Sequence, residues 1–440
     1  MNGNIGYYDR KIECMPRSEM EVLQGERLKE IVKRVYETVP RYRAKMDAIK
    51  LKPSDINSLE DISKLPFTEK QDLRDSYPYG MFSAPIKDIV RLHASSATTG
   101  KLTVVGYTKK DLDIWAEAVA RCLVMTGATP ESIVHVAYGY GLFTGGLGMH
   151  YGIEKLGATA VPVSSGNTQK QLQLLQDFGP EIICCTPSYA IYLAEAMKEE
   201  GVDPASLKLR AGIFGAEPWS EAMRQAIESK LHIKAYDIYG LSEICGPGVA
   251  CECEMQKGMH INEDHYFPEI LDADTLEPIY EDNEEGELVF TTLTKEGIPL
   301  IRYRTHDLAS VTREKCECGR TLVRLNKISG RTDDMLIIRG VNVFPSQIES
   351  VLLKCVGVEP HYHIYVDRVN NLDTLEIHVE MSEKLFSDEA KVVEQLREKL
   401  TADIASAIGV HAKIKLVSPR TLPRSEGKAK HTTDYRKGKI

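Results

Sequence analysis

The chain has 440 residues, 42% of them hydrophobic and 27% charged, and its 55 Lys and Arg against 64 Asp and Glu give a net charge of -9. These are globular values, and the length predicts two or three domains. The acidic balance argues against a nucleic-acid partner. No apolar run approaches the ~18 residues of a membrane helix, and the first residues lack a signal-peptide core, so we expect a cytoplasmic protein without a membrane partner.

The first elements in chain order are helices and strands of an α/β fold. A stretch from Ser18 to about Met46 carries charged residues on one face and apolar residues on the other, as an amphipathic helix does. From residue 88 to about 240, β-branched runs, the first at 89–94, alternate with helical patterns at 109–126, 146–157, 168–178, 188–200 and 220–230. This alternation predicts a mostly parallel sheet, whose carboxyl strand ends gather ligands.

The rest of the chain changes character. Short strands such as GELVFTTL, with frequent turns, predict a β-rich subdomain over about residues 250–332. Residues 333–440 show helices and strands of a small α+β domain. We therefore expect a large N-terminal domain, residues 1–332, and a small C-terminal domain, residues 333–440.

A hydroxyl-rich loop follows the first predicted strand. SSATTGK, residues 95–101, offers donors that suit phosphate oxygens, from Ser95, Ser96, Thr98, Thr99, Gly100 and Lys101. It is not a Walker A loop, because that motif needs glycine in place of Ser95 and Ser or Thr in place of Leu102. Such stretches are more often ordinary turns, so the loop alone leaves both interpretations open.

Each of four later motifs, taken alone, is weak evidence for a binding site or a hinge. In YGLSE, Tyr239 could stack on a nucleobase and Glu243 could bind Mg²⁺, or the segment is a turn with a solvated glutamate. In YRTHDL, Asp307 could accept from ribose hydroxyls, or it belongs to a surface ion-pair cluster. GRTDD, from Gly330, is a candidate hinge, and SEGKA, with Lys428, is by itself a basic tail.

The cysteines suggest a metal site. Ten cysteines without an export signal indicate thiols or metal ligands before disulfides. Two CxC pairs and one histidine fall in the β-rich subdomain, and tetrahedral Zn²⁺ takes four such ligands. We predict a structural zinc held by Cys253, His260, Cys316 and Cys318, with Cys251 as the substitute ligand. The alternative is a set of reduced thiols in loops.

The order of the motifs is more specific than any one of them. SSATTGK, GAEPWS, YGLSE, YRTHDL, GRTDDMLIIRG and SEGKA resemble the ordered motifs of the acyl-adenylate-forming superfamily, and most closely those of its phenylacetate-CoA ligases. The resemblance covers essentially the whole chain. It implies a large adenylate-forming domain, a small mobile C-terminal domain and a two-step reaction. A carboxylate and ATP give acyl-AMP and pyrophosphate, and the thiol of coenzyme A then attacks the acyl carbon and releases AMP.

The resemblance also implies residue roles at the nucleotide. The loop at 95–101 would hold the β- and γ-phosphates, Glu243 would bind Mg²⁺, and Asp307, assisted by Arg331, would hold the ribose. The other residues implied at the nucleotide are Gly215, Ala216, Glu217, Asp237, Tyr239 and Gly240.

Roles in catalysis and acyl binding follow from the same resemblance. Lys428 would bridge the acyl carboxylate and the α-phosphate, where a cation stabilises charge in the transition state, and Asp333 would be the hinge of the small domain. The acyl pocket would involve Tyr138, Tyr140, Phe143 and Gly145, since aromatic walls with glycine floors suit an aryl group. The alternative is a glycine-rich approach to a helix packed on the sheet.

Three positions in the motifs depart from the family pattern. Ala97 replaces a glycine, which would cost about 1 kcal/mol if φ is positive there, and Leu102 replaces a proline in the same loop. His306 replaces a common arginine near the ribose. We expect a ligase that joins an aryl or arylacetic acid to coenzyme A, using ATP and Mg²⁺, and the family suggests a homodimer. The alternatives are an adenylating enzyme that passes the acyl group to another thiol or amine, and a catalytically silent zinc-bearing interaction module.

Overall fold

The computed structural model describes residues 6–95, 102–332, 336–339, 341–369, 372–386, 390–424 and 431–438. The described chain folds into two units. The large unit holds the residues up to Cys185, Leu207–Ala216 and Lys234–Ile328. The small unit holds Thr186–Ser206, Glu217–Ile233 and the residues from Ser329 on. The boundary at residues 332/333 stays a prediction.

The helices of the large unit include the N-terminal amphipathic stretch. They are α1 (Arg10–Glu13), α2 (Arg17–Thr38), α3 (Pro40–Ala48), α4 (Lys70–Asp75), α5 (Lys109–Met125), α6 (Gly145–Leu156) and α7 (Thr168–Phe178). The single helix predicted from Ser18 is two helices. Val39 is extended, with φ of -114° and ψ of 104°, because the ring of Pro40 disfavours helical backbone in the residue before it.

The strands of the large unit form a mixed sheet and two antiparallel ones. They are β1 (Ile89–Ser95), β2 (Thr103–Thr108), β3 (Ile133–Val136), β4 (Thr159–Pro162), β5 (Ile182–Cys185), β6 (Ala211–Gly215), β7 (Lys234–Tyr239), β8 (Ala250–Glu252), β9 (Met259–Ile261), β10 (Tyr266–Leu271), β11 (Gly286–Thr292), β12 (Tyr303–Ala309), β13 (Val311–Thr312) and β14 (Arg324–Leu325). The mixed sheet runs in the order β13-β14-β9-β8-β7-β6-β5-β3-β4.

This mixed sheet positions the motifs. Its part from β4 to β7 is parallel, as predicted, and its part from β7 to β13 is antiparallel. Strands β5 and β6 are buried on both faces, which matches their continuous apolar sequences. Gly215, the last residue of β6, pairs with Ile238 next to the end of β7, so the GAEPWS and YGLSE motifs begin side by side.

Two antiparallel groups complete the large unit. Strand β1, the first β-branched run, does not join the parallel strands; it pairs antiparallel with β2, to which the hydroxyl-rich loop connects it. Strands β10, β11 and β12 also pair antiparallel, which confirms the β-rich character of that region. Among the described residues, no helix is long and apolar enough to cross a membrane.

The small unit contains two helices from the middle of the chain and an α+β sheet. Its helices are α8 (Pro187–Glu199), α9 (Glu221–Leu231), α10 (Pro345–Leu352), α11 (Glu383–Phe386) and α12 (Ala390–Ile408). Its strands are β15 (Gly330–Arg331), β16 (Leu336–Ile338), β17 (Val341–Val343), β18 (Val358–Val369), β19 (Leu372–Met381), β20 (Lys413–Val417) and β21 (Thr432–Asp434). The sheet order β20-β19-β18-β21, covered by α10 and α12, confirms the predicted α+β class.

Candidate functional site

Two predicted site residues meet where β7 ends. The Tyr239 hydroxyl donates a hydrogen bond of 2.6 Å to Oδ2 of Asp307, which lies in β12. Asp307 is only 3% exposed, and its backbone N–H donates to Thr305 Oγ1 at 3.0 Å. The Tyr239 ring packs on Phe290 of β11, with ring centroids 6.2 Å apart. Two motifs that are far apart in the sequence thus place a carboxylate and an aromatic ring next to each other.

The carboxylate of Glu243 lies in the turn that follows β7. Its Oε1 accepts from the Ser95 hydroxyl at 3.1 Å and pairs with Lys70 Nζ, also at 3.1 Å. Ser95 ends β1, so the described end of the hydroxyl-rich loop reaches the predicted Mg²⁺ ligand. Lys70 belongs to α4 and to none of the motifs, so no sequence signal could have identified it. A carboxylate, a hydroxyl and an ammonium group converge here.

Several predicted residues lie outside the described ranges. They are Ser96, Ala97, Thr98, Thr99, Gly100 and Lys101 of the loop, the hinge residue Asp333, and Lys428. Arg331 is described and lies in β15 of the small unit. The roles given to all of these residues stay predictions.

The backbone is tightly packed where β6 and β7 end. A Cβ on Gly215 would lie 2.2 Å from the Ile238 carbonyl oxygen, and one on Gly240 would lie 1.6 Å from that of Gly246. Both positions therefore require glycine. Ala216 has a φ of 71°, a left-handed conformation that costs a residue with a Cβ roughly 1–2 kcal/mol. Such strain is typical of functional segments.

Two other predicted nucleotide residues take part in local hydrogen bonds. Glu217 Oε1 accepts from the backbone N–H of Ser188 at 2.8 Å, so this carboxylate caps the first turn of α8 within the small unit. The Asp237 backbone N–H donates to Glu252 Oε2 at 2.8 Å, between β7 and β8. Glu217 makes its bond through the side chain and Asp237 through the backbone, and the roles of both residues at a nucleotide stay predictions.

The predicted acyl-pocket residues line the approach to α6. Tyr138 is buried and donates to the Ile213 carbonyl at 3.4 Å, whereas Phe143 is 45% exposed. The Tyr140 hydroxyl lies 3.4 Å from Nδ1 of His150, and burial raises the pKa of Tyr140. Gly145 faces Phe143, whose ring would lie 2.8 Å from an added Cβ. The contact between His150 and Tyr140 was not predicted, since it depends on the position of His150 in helix α6.

The four predicted zinc ligands form one buried cluster. The donor atoms of Cys253, His260, Cys316 and Cys318 all lie within 4.8 Å of one another. The Sγ atoms of Cys253 and Cys316 are 3.8 Å apart, and His260 Nε2 lies 3.4 Å from the Sγ atoms of Cys253 and Cys318. A tetrahedral ion with Zn–S bonds of ~2.3 Å separates two sulfurs by about 3.8 Å, so the spacing fits Zn²⁺.

Cys251 takes no part in this cluster. Its Sγ lies 3.9 Å from the Cys122 carbonyl of α5, on the packed face of β8. Cys253 lies beyond the end of β8 at Glu252, so the chain can turn it toward His260. The structure therefore places Cys253, and not Cys251, in the cluster with His260, Cys316 and Cys318.

The cluster is attached to the N-terminal residues. Arg320 Nη1 lies 3.7 Å from Cys318 Sγ, and Arg320 Nε pairs with Glu13 at 2.6 Å, with both side chains buried. The Tyr7 hydroxyl donates to the Cys318 carbonyl at 2.8 Å. Hydrogen bonds from the Cys253 and Cys316 thiols hold the pKa of Cys318 well below its usual range. A lowered pKa favours the thiolate, which is the form of cysteine that binds metal.

Comparisons with known proteins agree with the motifs. The chain matches the family described as AMP-binding enzyme over residues 43–293 and the AMP-binding enzyme C-terminal domain over residues 340–436. It is 52% identical to a phenylacetate-coenzyme A ligase of Thermus thermophilus, covering 98% of this chain and 100% of that protein. It is 51% identical to a phenylacetate-coenzyme A ligase of Escherichia coli, covering 97% of each.

A solved structure extends this agreement to three dimensions. The structure is similar to that of 2-hydroxyisobutyryl-CoA ligase in the postadenylation state in complex with 2-HIB-AMP. The TM-score is 0.93 at 30% sequence identity, covering 99% of this chain and 94% of that one. With two family matches and full-length relatives, the chain belongs to the phenylacetate-CoA ligase family of the AMP-binding enzymes.

Proposed function

We propose that this protein joins phenylacetate or a related aryl or arylacetic acid to coenzyme A in an ATP-dependent reaction through acyl-AMP, with release of AMP and pyrophosphate. The observation that carries the proposal is the Tyr239–Asp307 pair, with Glu243 in the next turn, at the carboxyl end of a parallel strand. Nucleotides bind at such strand ends. The 52% identity to a phenylacetate-coenzyme A ligase supports the acid and the acceptor.

The described residues fit the charges of ATP. Asp307, fixed by Tyr239, would accept from ribose hydroxyls, and Lys70 would place a positive charge near the phosphates. The Glu243 carboxylate and the Ser95 hydroxyl are the oxygen donors that Mg²⁺ prefers, so these two residues would hold it. Bound there, Mg²⁺ would neutralise charge on the phosphates. Lys428 matches the lysine of the last family motif, and in that role it would bring the acyl carboxylate and the α-phosphate together.

The cysteine cluster supports a structural rather than a catalytic zinc. Cys253, His260, Cys316 and Cys318 would supply four ligands, and all four are buried. Catalytic sites keep an open position for water or substrate, whereas closed four-ligand sites stabilise folds. The ion would join the segment between β8 and β9 to the Cys316–Cys318 loop, which Arg320 and Tyr7 attach to the N-terminal residues.

Acid-dependent exchange of pyrophosphate into ATP tests the first half-reaction. We expect exchange with phenylacetate and weaker exchange with indoleacetate, benzoate and 2-hydroxyisobutyrate. Adding coenzyme A should then convert the bound acyl-AMP to a thioester. Exchange without thioester would favour another thiol or amine acceptor, and no exchange with any acid would favour the catalytically silent module.

A further inference from the structure

Two side chains of other elements lie within hydrogen-bonding distance of four consecutive backbone carbonyls, those of residues 242–245. The Tyr107 hydroxyl lies 3.1 Å from the Ser242 oxygen and 3.2 Å from the Cys245 oxygen. Lys295 Nζ donates to the Glu243 oxygen at 3.0 Å and to the Ile244 oxygen at 2.7 Å. The segment 242–245 is therefore held through its backbone, which leaves the Glu243 side chain to point elsewhere.

Lys295 is an unusual residue for this role because it is buried. It is only 5% exposed, and its Nζ lies 4.7 Å from the centre of the Tyr107 ring. A buried ammonium group is costly unless it is paired and hydrogen-bonded. Two carbonyls and the face of an aromatic ring stabilise it here, and burial lowers the pKa of Lys295 to about 8. Lys295 therefore places a buried ammonium group against the main-chain carbonyls of residues 243 and 244.

The two donors are themselves fixed to one another. The Asp111 carboxylate accepts from the backbone N–H groups of Glu296 and Gly297, at 2.7 and 2.8 Å, and so holds the turn that carries Lys295. The same carboxylate accepts from the Thr108 N–H at 2.9 Å, directly after Tyr107. Asp111 thus joins the end of β2, the start of α5 and the Lys295 turn into one support.

We infer that Lys295, together with Tyr107, is a positioning residue that fixes the backbone of residues 242–245 so that the Glu243 carboxylate is presented to Mg²⁺ and the nucleotide phosphates. The inference rests on the proposed function, because that function assigns Glu243 its role. Lys295 acts through Glu243 rather than on a substrate, since its ammonium group faces main-chain carbonyls and a ring.

Calorimetric titration of ATP into the full-length protein, with Mg²⁺ and separately with EDTA, tests this role. In Lys295→Met, which keeps the length of the side chain, we expect the Kd of ATP with Mg²⁺ to rise about tenfold and the Kd in EDTA to change less than twofold. Tyr107→Phe keeps the ring beneath Lys295 and should weaken binding with Mg²⁺ about threefold. Lys110→Met is the matched control, because Lys110 is 62% exposed and pairs only with Glu296 among the described residues.

The outcomes separate this inference from the proposed function. An unchanged Kd with Mg²⁺ in both Lys295→Met and Tyr107→Phe would overturn it, and so would an equal rise with Mg²⁺ and in EDTA, which indicates general loosening of the site. If Lys295→Met fails to unfold cooperatively, Tyr107→Phe alone decides. Failure of the proposed function would be seen differently, as wild-type protein that binds ATP with Mg²⁺ but exchanges pyrophosphate with no acid.

Discussion

The hydroxyl of Tyr239 and the carboxylate of Asp307 are joined by a hydrogen bond of 2.6 Å that links the end of β7 to β12. The bond removes the rotational freedom of a carboxylate that would otherwise have to be ordered when a ribose binds. Tyr239 belongs to the YGLSE motif and Asp307 to the YRTHDL motif, so the bond brings these two segments of the chain together.

Tyr239→Phe should weaken nucleotide binding without removing the aromatic ring. A hydrogen bond to a charged group contributes about 1.5–3 kcal/mol, so we expect the KM for ATP to rise roughly tenfold or more. The KM for phenylacetate should stay within about twofold. Tyr280→Phe, at a tyrosine that is 74% exposed, is the matched control. An unchanged KM for ATP in Tyr239→Phe would show that the bond does not prepare the nucleotide site.

Cys318→Ser should abolish zinc binding and destabilise the fold. Protein purified without chelator should contain about one zinc ion per chain by mass spectrometry, and the variant should contain almost none and unfold at a lower temperature. Cys355→Ser, a thiol in the small unit outside the cluster, should keep its metal. Wild-type protein without zinc would contradict the assignment.

His265 should make the protein less stable as the pH falls toward 4. Burial lowers the pKa of His265 from 6.5 to about 4, even though Asp264 Oδ2 lies 3.1 Å from its Nε2. Between these two pH values His265 is protonated in the unfolded chain and neutral in the folded chain. The contribution of His265 to the free energy of unfolding is therefore fully present above about pH 6.5 and decreases as the pH falls toward 4. The shift corresponds to about 3 kcal/mol.

Urea unfolding at about pH 7.5 and about pH 4.5 measures this effect. In His265→Gln, which keeps a donor toward Asp264, the difference in unfolding free energy between the two pH values should shrink by most of that amount. His411→Gln, at an exposed histidine, should keep the full difference. Equal pH dependence in wild type and His265→Gln would contradict the prediction.

Lys428→Ala should separate the two half-reactions. Removing the cation between carboxylate and α-phosphate should reduce acid-dependent pyrophosphate exchange by orders of magnitude. Thioester formation from supplied phenylacetyl-AMP should continue, because that step has no second anion to bring in. Lys430→Ala, two residues further on, should leave both steps near the wild-type rates. Equal loss of both steps in Lys428→Ala would refute the assigned role.

The fold was predictable wherever a local pattern determines it. Strands β5 and β6 were found because continuous apolar runs between helical patterns report burial on both faces. Two predictions of secondary structure and strand pairing were wrong, because the hydrophobic periodicity of the sequence does not determine these features. The helix predicted from Ser18 is interrupted by Pro40, and β1 pairs antiparallel with β2 instead of joining the parallel strands.

Residues of the candidate site could be predicted only where they belong to a sequence motif. Tyr239, Glu243 and Asp307 were found by the order of the motifs. Lys70 and Lys295 were not, since each meets the Glu243 segment through tertiary packing and no local spacing records that contact. The choice between Cys251 and Cys253 depends on where β8 ends, which an alternating pattern does not fix to one residue.

The central claim is tested most directly by incubating the full-length protein with phenylacetate, ATP, Mg²⁺ and coenzyme A and measuring the products by mass spectrometry. We predict phenylacetyl-CoA, AMP and pyrophosphate in equal amounts, with none of the three formed when phenylacetate is left out. ADP in place of AMP, or ATP consumption that needs no acid, would contradict ligation through an acyl-AMP.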